Sequence, residues 1–156
     1  MLAGDLIPAV GGGLSERGAP IYALGGKAMD PVAGFTFGAG LMALGAVIHY
    51  MKSQVASGSI QRNSVMGIRT KATMSSDRAW QAGHASAAPM LTVTFLTAYI
   101  AGAISLALGL AFTLSDTVNA TVIIVPSAGL VGVLTLLTAA AIKANSAACA
   151  VGHSDR

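Results

Sequence analysis

Three runs of this chain carry no Asp, Glu, Lys or Arg: residues 31–51, 79–115 and 117–142. About 20 consecutive apolar residues suffice for a helix to cross a hydrocarbon core of about 30 Å, so each run is long enough to span a bilayer. Of 156 residues, 54% are apolar and 10% are charged. A soluble domain carries about 25% charged residues, and the charge here is too sparse to cover a water-facing surface. The chain therefore reads as all-α, an integral membrane bundle of three transmembrane helices in one domain. Its net charge of +3 sets topology rather than recruiting nucleic acid, and no direct nucleic-acid contact is expected. The single cysteine, Cys149, excludes an internal disulfide. No Cys/His spacing suits a metal, and no cofactor is expected.

The first span is 31–51, with Pro31 at its start, where a missing amide hydrogen does no harm, and Tyr50 at its far end, at headgroup level. Gly34 and Gly38, continued by Ala39 and Ala43, set small residues four apart, the spacing along which another helix approaches closely. The same glycines are also background in a chain with 19 of them. His49 is the titratable group inside this span; it is either functional or a ring reaching headgroups from a span end.

The run 79–115 would make a helix of about 55 Å, more than one bilayer needs. Pro89 is expected to divide it, because proline removes a backbone donor and bends or ends the preceding turn. Before it, Ser75 or Ser76 caps a short interfacial helix, Asp77 favours the positive end, and Trp80, Gly83, Ala87 and Ala88 recur near helical spacing. After it, the second span is 90–114, where Thr92, Thr94 and Thr97 bond back to their own helix and Ala98–Gly102 and Ser105–Gly109 repeat the small-residue spacing. A polar turn at 115–120 leads to the third span, 121–142, with Pro126 near its start and Lys143 at its end.

Residues 1–30 offer no spanning run, and their early Asp5 and the glycines Gly11, Gly12 and Gly13 make a poor signal peptide. They are expected to be a weakly ordered extracytoplasmic extension, with a start codon assigned too early as a further reading. The membrane domain then occupies 31–143, with a signature loop and interfacial helix at 52–88, and 144–156 is a small polar tail able to extend the last helix by a turn or two. Lys52, Arg62, Arg69, Lys71 and Arg78 in the loop and Lys143 and Arg156 in the tail fall on one side, while the 115–120 turn has no basic residue. The N-terminal extension sets Arg17 and Lys27 against Asp5, Glu16 and Asp30. The positive-inside rule then places the loop and the C-terminus in the cytoplasm and the N-terminus outside.

Polar chemistry concentrates between Gly58 and Trp80. Gly67 permits a turn that other residues resist, and Asn63 bonds its own neighbouring backbone, so the pair reads as a compact turn before Arg69. Arg69 presents five donors in a planar fork, suited to a lipid phosphate, a carboxylate or several carbonyls. Thr70, Thr73, Ser75 and Ser76 complete an anion-holding cluster on one reading; on the other, Arg69 and its neighbours only fix the loop to the bundle. Trp80 reads as an interfacial anchor. His84 follows it by one turn, so the two rings share a face and either flank a site with Arg69 or serve packing.

Asn63, Gly67-Ile68-Arg69-Thr70, Thr73, Ser76 and Trp80 fall at the spacing of the signature segment of the SdpI-like bacterial membrane proteins, which this chain resembles. The likeness covers about 25 residues closely and runs on more loosely through Ala82 and His84. Where that family often has prolines, this chain has Gln61, Arg62 and Lys71, which makes its loop less rigid and more basic. The best-known relative is longer, with about twice as many spans. The resemblance implies a bacterial plasma membrane protein. It also implies immunity to a secreted peptide toxin and membrane sequestration of a transcriptional repressor.

An enzyme needs a nucleophile with a base, paired carboxylates or a metal set. Ser76, Asp77 and His84 lie in one helical segment, where side-chain directions keep a triad from converging, so no catalysis is expected. The span centres are apolar, against solute transport by a monomer. The expectation is a non-enzymatic membrane protein of immunity, toxin resistance or signalling. The alternative is an accessory subunit of a membrane complex or a small oligomeric transporter. Its expected partners are membrane lipids, a repressor-like cytoplasmic protein or a toxin peptide, and further copies joined through small-residue helix faces.

Overall fold

The structure, a computed structural model, describes residues 32–59, 62, 66–115, 117 and 119–154. Residues 1–30, read as an extension, lie outside the described residues, as do Pro31 and Asn63. Three helices make up the fold: α1 (Val32–Ala56), α2 (Asp77–Leu114) and α3 (Thr121–Ser154), with no strand among the described residues. Each is long and apolar enough to cross a membrane. Phe37, Val47, Val93, Ile100, Leu110, Val131 and Ile142 all face outward. Such a surface suits lipid, where the helix satisfies its own backbone and the side chains need no water.

The helix ends follow from local chemistry. α1 closes where Gly58 takes φ +72, the Gly58 N–H donates to Val55 and the Ser59 N–H donates to Gln54. This paired closure uses a left-handed glycine to satisfy the last carbonyls. α2 starts on Ser76, whose hydroxyl accepts from the Ala79 N–H at 3.1 Å, with Asp77 in the first turn. At the start of α3, the Asn119 side chain accepts from the Thr121 N–H at 3.0 Å.

Two elements differ from the sequence expectation. α2 runs unbroken through Pro89 for 38 residues, so the segment before that proline is the first part of one long helix and not a separate interfacial helix. Pro89 and Ala85, whose carbonyl it leaves without a helical donor, both lie on an exposed face. On the opposite face, two residues from each, Ala87 packs against Ala140 and Ala144 and holds the helix on course. α3 continues to Ser154, further than the turn or two by which the tail was expected to extend it.

α2 packs against both other helices, which touch each other far less. Small residues bring α1 and α2 together in antiparallel fashion: Gly34 lies against Ser105 and Gly109, Gly38 against Gly102, and Gly45 against Tyr99. Ala39 and Ala43 point outward instead. The helix that approaches the Gly34 and Gly38 face is thus α2 of the same chain. On the other side, Gly129 meets Ala101 and Gly83 meets the Ala144 carbonyl. The core between them is Ile48, Phe95, Ala98 and Val133. The end of α1, the start of α2 and the end of α3 therefore share one end of the bundle, and the loop lies there.

Candidate functional site: the loop platform

Thr73 organises the loop. It is fully buried, its hydroxyl donates to the Ile68 carbonyl at 2.8 Å and accepts from the Thr70 N–H at 2.9 Å, and its own N–H donates to the Thr70 hydroxyl at 3.1 Å. A β-branched hydroxyl residue suits this position because it fills volume and serves as donor and acceptor together. Exchanging it for the isosteric valine leaves the Ile68 carbonyl and the Thr70 N–H without their partner. The expected loss is about 2 kcal/mol, read as a shifted midpoint in denaturant titration; an unchanged midpoint would contradict the role of Thr73.

His84 fastens the loop to α2. Its Nε2 accepts from the Ile68 N–H at 2.9 Å and its Nδ1 lies 2.9 Å from the Trp80 carbonyl. A backbone N–H only donates and a carbonyl only accepts, so the ring is the neutral Nδ1–H tautomer. Trp80 leans on His84, with ring centroids 4.1 Å apart, and is 4% exposed, so it is a buried packing residue and not the interfacial anchor expected. Gly67 crosses directly over this pair with φ +117, and a Cβ there would sit 2.5 Å from the indole and 2.9 Å from Nε2.

The remaining polar groups are also engaged. Arg62 donates through Nη1 to the Met74 carbonyl at 3.0 Å, and its Nε lies 3.0 Å from the Asp77 carboxylate, off the line of a hydrogen bond. Ser75 donates to the Ala72 carbonyl, and Ser76 caps α2. These hydroxyls thus serve the backbone rather than standing open to an anion. His84 has both nitrogens occupied, Asp77 faces Arg62 and Ser76 faces Ala79, so the three are not assembled as a catalytic set. No group of three His, Cys, Asp or Glu among the described residues could hold a metal.

Arg69 and Lys71 are exposed and, among the described residues, neither side chain has a hydrogen-bond or ion-pair partner. Of the residues singled out from the sequence, the structure brings together Gly67, Ile68, Thr70, Thr73, Ser76, Trp80 and His84 as one scaffold and leaves Arg69 at its surface. His49, the other histidine singled out, is exposed and stacks on Phe95 at 4.4 Å.

Sequence reasoning missed a cleft of about 1190 Å³ beneath the platform, between the end of α1 and the start of α2. It is lined by Ile48, Met51, Lys52, Trp80, Leu91 and Leu137, among others. No local motif signals it, because its walls come from three helices far apart in sequence.

No curated protein and no solved structure matches the chain. The model of the SdpI/YfhL protein family matches residues 59–142, which take in the whole platform, α2 and most of α3. With more than half of its length matched, the chain belongs to the SdpI/YfhL protein family.

Proposed function

We propose that this membrane protein acts without catalysis, in immunity or resistance to a membrane-active peptide toxin or in membrane signalling, by recognition at the outer face of its loop platform. The observation that carries this reading is Arg69, exposed and without a partner among the described residues, on a loop whose own fold is secured by Thr73, His84 and Trp80. Fixing the loop does not need Arg69. A guanidinium held out from a rigid support presents its donors in a planar fork, the geometry that matches a carboxylate or phosphate. The partner it fits is an acidic surface, on a repressor-like cytoplasmic protein or on the toxin. Lys52, Arg62, Arg69, Lys71, Arg78 and Lys143 gather at this end, which supports a cytoplasmic platform in a bacterial plasma membrane.

The test is a deletion strain challenged with membrane-active peptides and complemented with the wild type or with Arg69→Ala. The deletion should sensitise the cells, the wild type should restore survival, and Arg69→Ala should fail to restore it while changing the folding free energy by less than about 0.5 kcal/mol. Survival unaffected by the deletion overturns the immunity reading. Full rescue by Arg69→Ala overturns the assignment to Arg69.

A further inference from the structure

The cleft beneath the platform is built with its chemistry segregated along its length. Away from the loop it is aliphatic, with Leu44, Val47 and Ile48 from α1 and Leu137 from α3; Arg62, Asp77 and Gln81 lie at the loop end, and Lys52 lies between them, with Val55, Ala56 and Trp80 beyond it. At about 1190 Å³ it exceeds the roughly 300–1,000 Å³ of sites for compact small molecules.

Its charges do not cancel. Arg62 and Asp77 face one another at 3.0 Å and amount to a neutral pair. Lys52 remains, half-buried, its ammonium 5.7 Å from the centre of the Phe95 ring and without a carboxylate partner among the described residues. An aromatic face attracts an ammonium only modestly and leaves its donors open to an anion. Lys52 directly follows the uncharged run 31–51 and so stands at the level of the headgroup layer, where basic pockets between spanning helices hold anionic lipid heads.

We propose that this cleft holds one anionic phospholipid, with its acyl chains along Ile48, Leu91 and Leu137 and its phosphate on Lys52. An aliphatic wall ending in a single net positive charge has the head-and-tail order of a lipid. A docked amphipathic peptide would spread polar groups along its length, where these walls offer none a partner. The inference concerns a face of the loop end separate from Arg69 and stands whether or not the toxin reading holds.

The experiment uses the full chain in nanodiscs of neutral phosphatidylcholine doped with phosphatidylglycerol, followed by native mass spectrometry of the released protein. One retained phosphatidylglycerol per chain is expected. Lys52→Gln should weaken retention about fivefold, the effect of one cation near an anionic headgroup, and Lys52→Arg should keep it. Val47→Trp, at an exposed position on the cleft wall, should block it without disturbing the core, and Lys143→Gln, at the same end but outside the cleft, should change nothing. Retention independent of headgroup charge or of Lys52 would show ordinary acyl-chain solvation and overturn the proposal. So would a cleft from which phosphatidylglycerol is excluded because another segment of the chain fills it.

Discussion

Replacing Gly67 by alanine should unfold the platform while leaving the bundle in place. Two separate costs add at this position. A side chain at φ +117 is strained wherever it sits, by about 1–2 kcal/mol. Its Cβ would also be pressed to 2.5 Å from the Trp80 ring, which is buried, and 2.9 Å from the His84 nitrogen that takes the Ile68 N–H. Forcing a methyl into a packed site costs about another 1–3 kcal/mol. Together these give about 3 kcal/mol, comparable with all that holds a loop of this size. Trp80 is the one tryptophan of the chain, so its emission reports the site directly. The variant should show a red-shifted emission and an early denaturant transition in detergent; a spectrum and midpoint matching the parent would refute the packing described.

The second large effect belongs to the contact between α1 and α2. A Cβ at Gly102 would meet the Gly38 carbonyl oxygen at 2.9 Å and the Met42 nitrogen at 3.2 Å, and both are backbone atoms of the opposing helix that cannot rotate away. Gly102→Leu should therefore force the helices apart and cost more than about 3 kcal/mol, through overpacking and lost dispersion along the whole seam. Gly40→Leu is the matched control, since nothing lies within 4 Å of a Cβ there. Helicity followed through an SDS titration should fall early for Gly102→Leu and coincide with the parent for Gly40→Leu. Equal curves for both variants would mean that the glycine seam does not hold the helices together.

The three spans were legible because solvent decides them: an uncharged run of membrane length between charged residues has little other stable fate. The Ser76 cap and the shared face of Trp80 and His84 were legible for an equally local reason, the geometry of one helical turn. The path through Pro89 was not, because it depends on which side of α2 meets a neighbour. Ala85 and Pro89 face outward while Ala87 is held by Ala140 and Ala144, and no spacing rule carries that information. The face of α1 failed similarly. Gly34 and Gly38 were identified, but the buried stripe continues through Leu41, Gly45 and Ile48 rather than Ala39 and Ala43, because α2 selects which row it packs against. Within the loop, the division of labour between Arg62, which meets Asp77 and Met74, and Arg69, which stands outside, follows from a chain path that residue types alone do not specify.

α2 and α3, at 38 and 34 residues, reach about 57 and 51 Å at 1.5 Å per residue, against a hydrocarbon core of about 30 Å. Tilt does not absorb the surplus, because the excess turns carry Asp77, Arg78 and Gln81 on one helix and Lys143, Asn145 and His153 on the other. The two helices continue as a pair past the lipid, joined where Gly83 abuts Ala144 and where the Ser86 hydroxyl reaches the Lys143 carbonyl at 3.3 Å. They form a paired extension at the loop end, and α2 runs without a break from it into the glycine seam that it shares with α1.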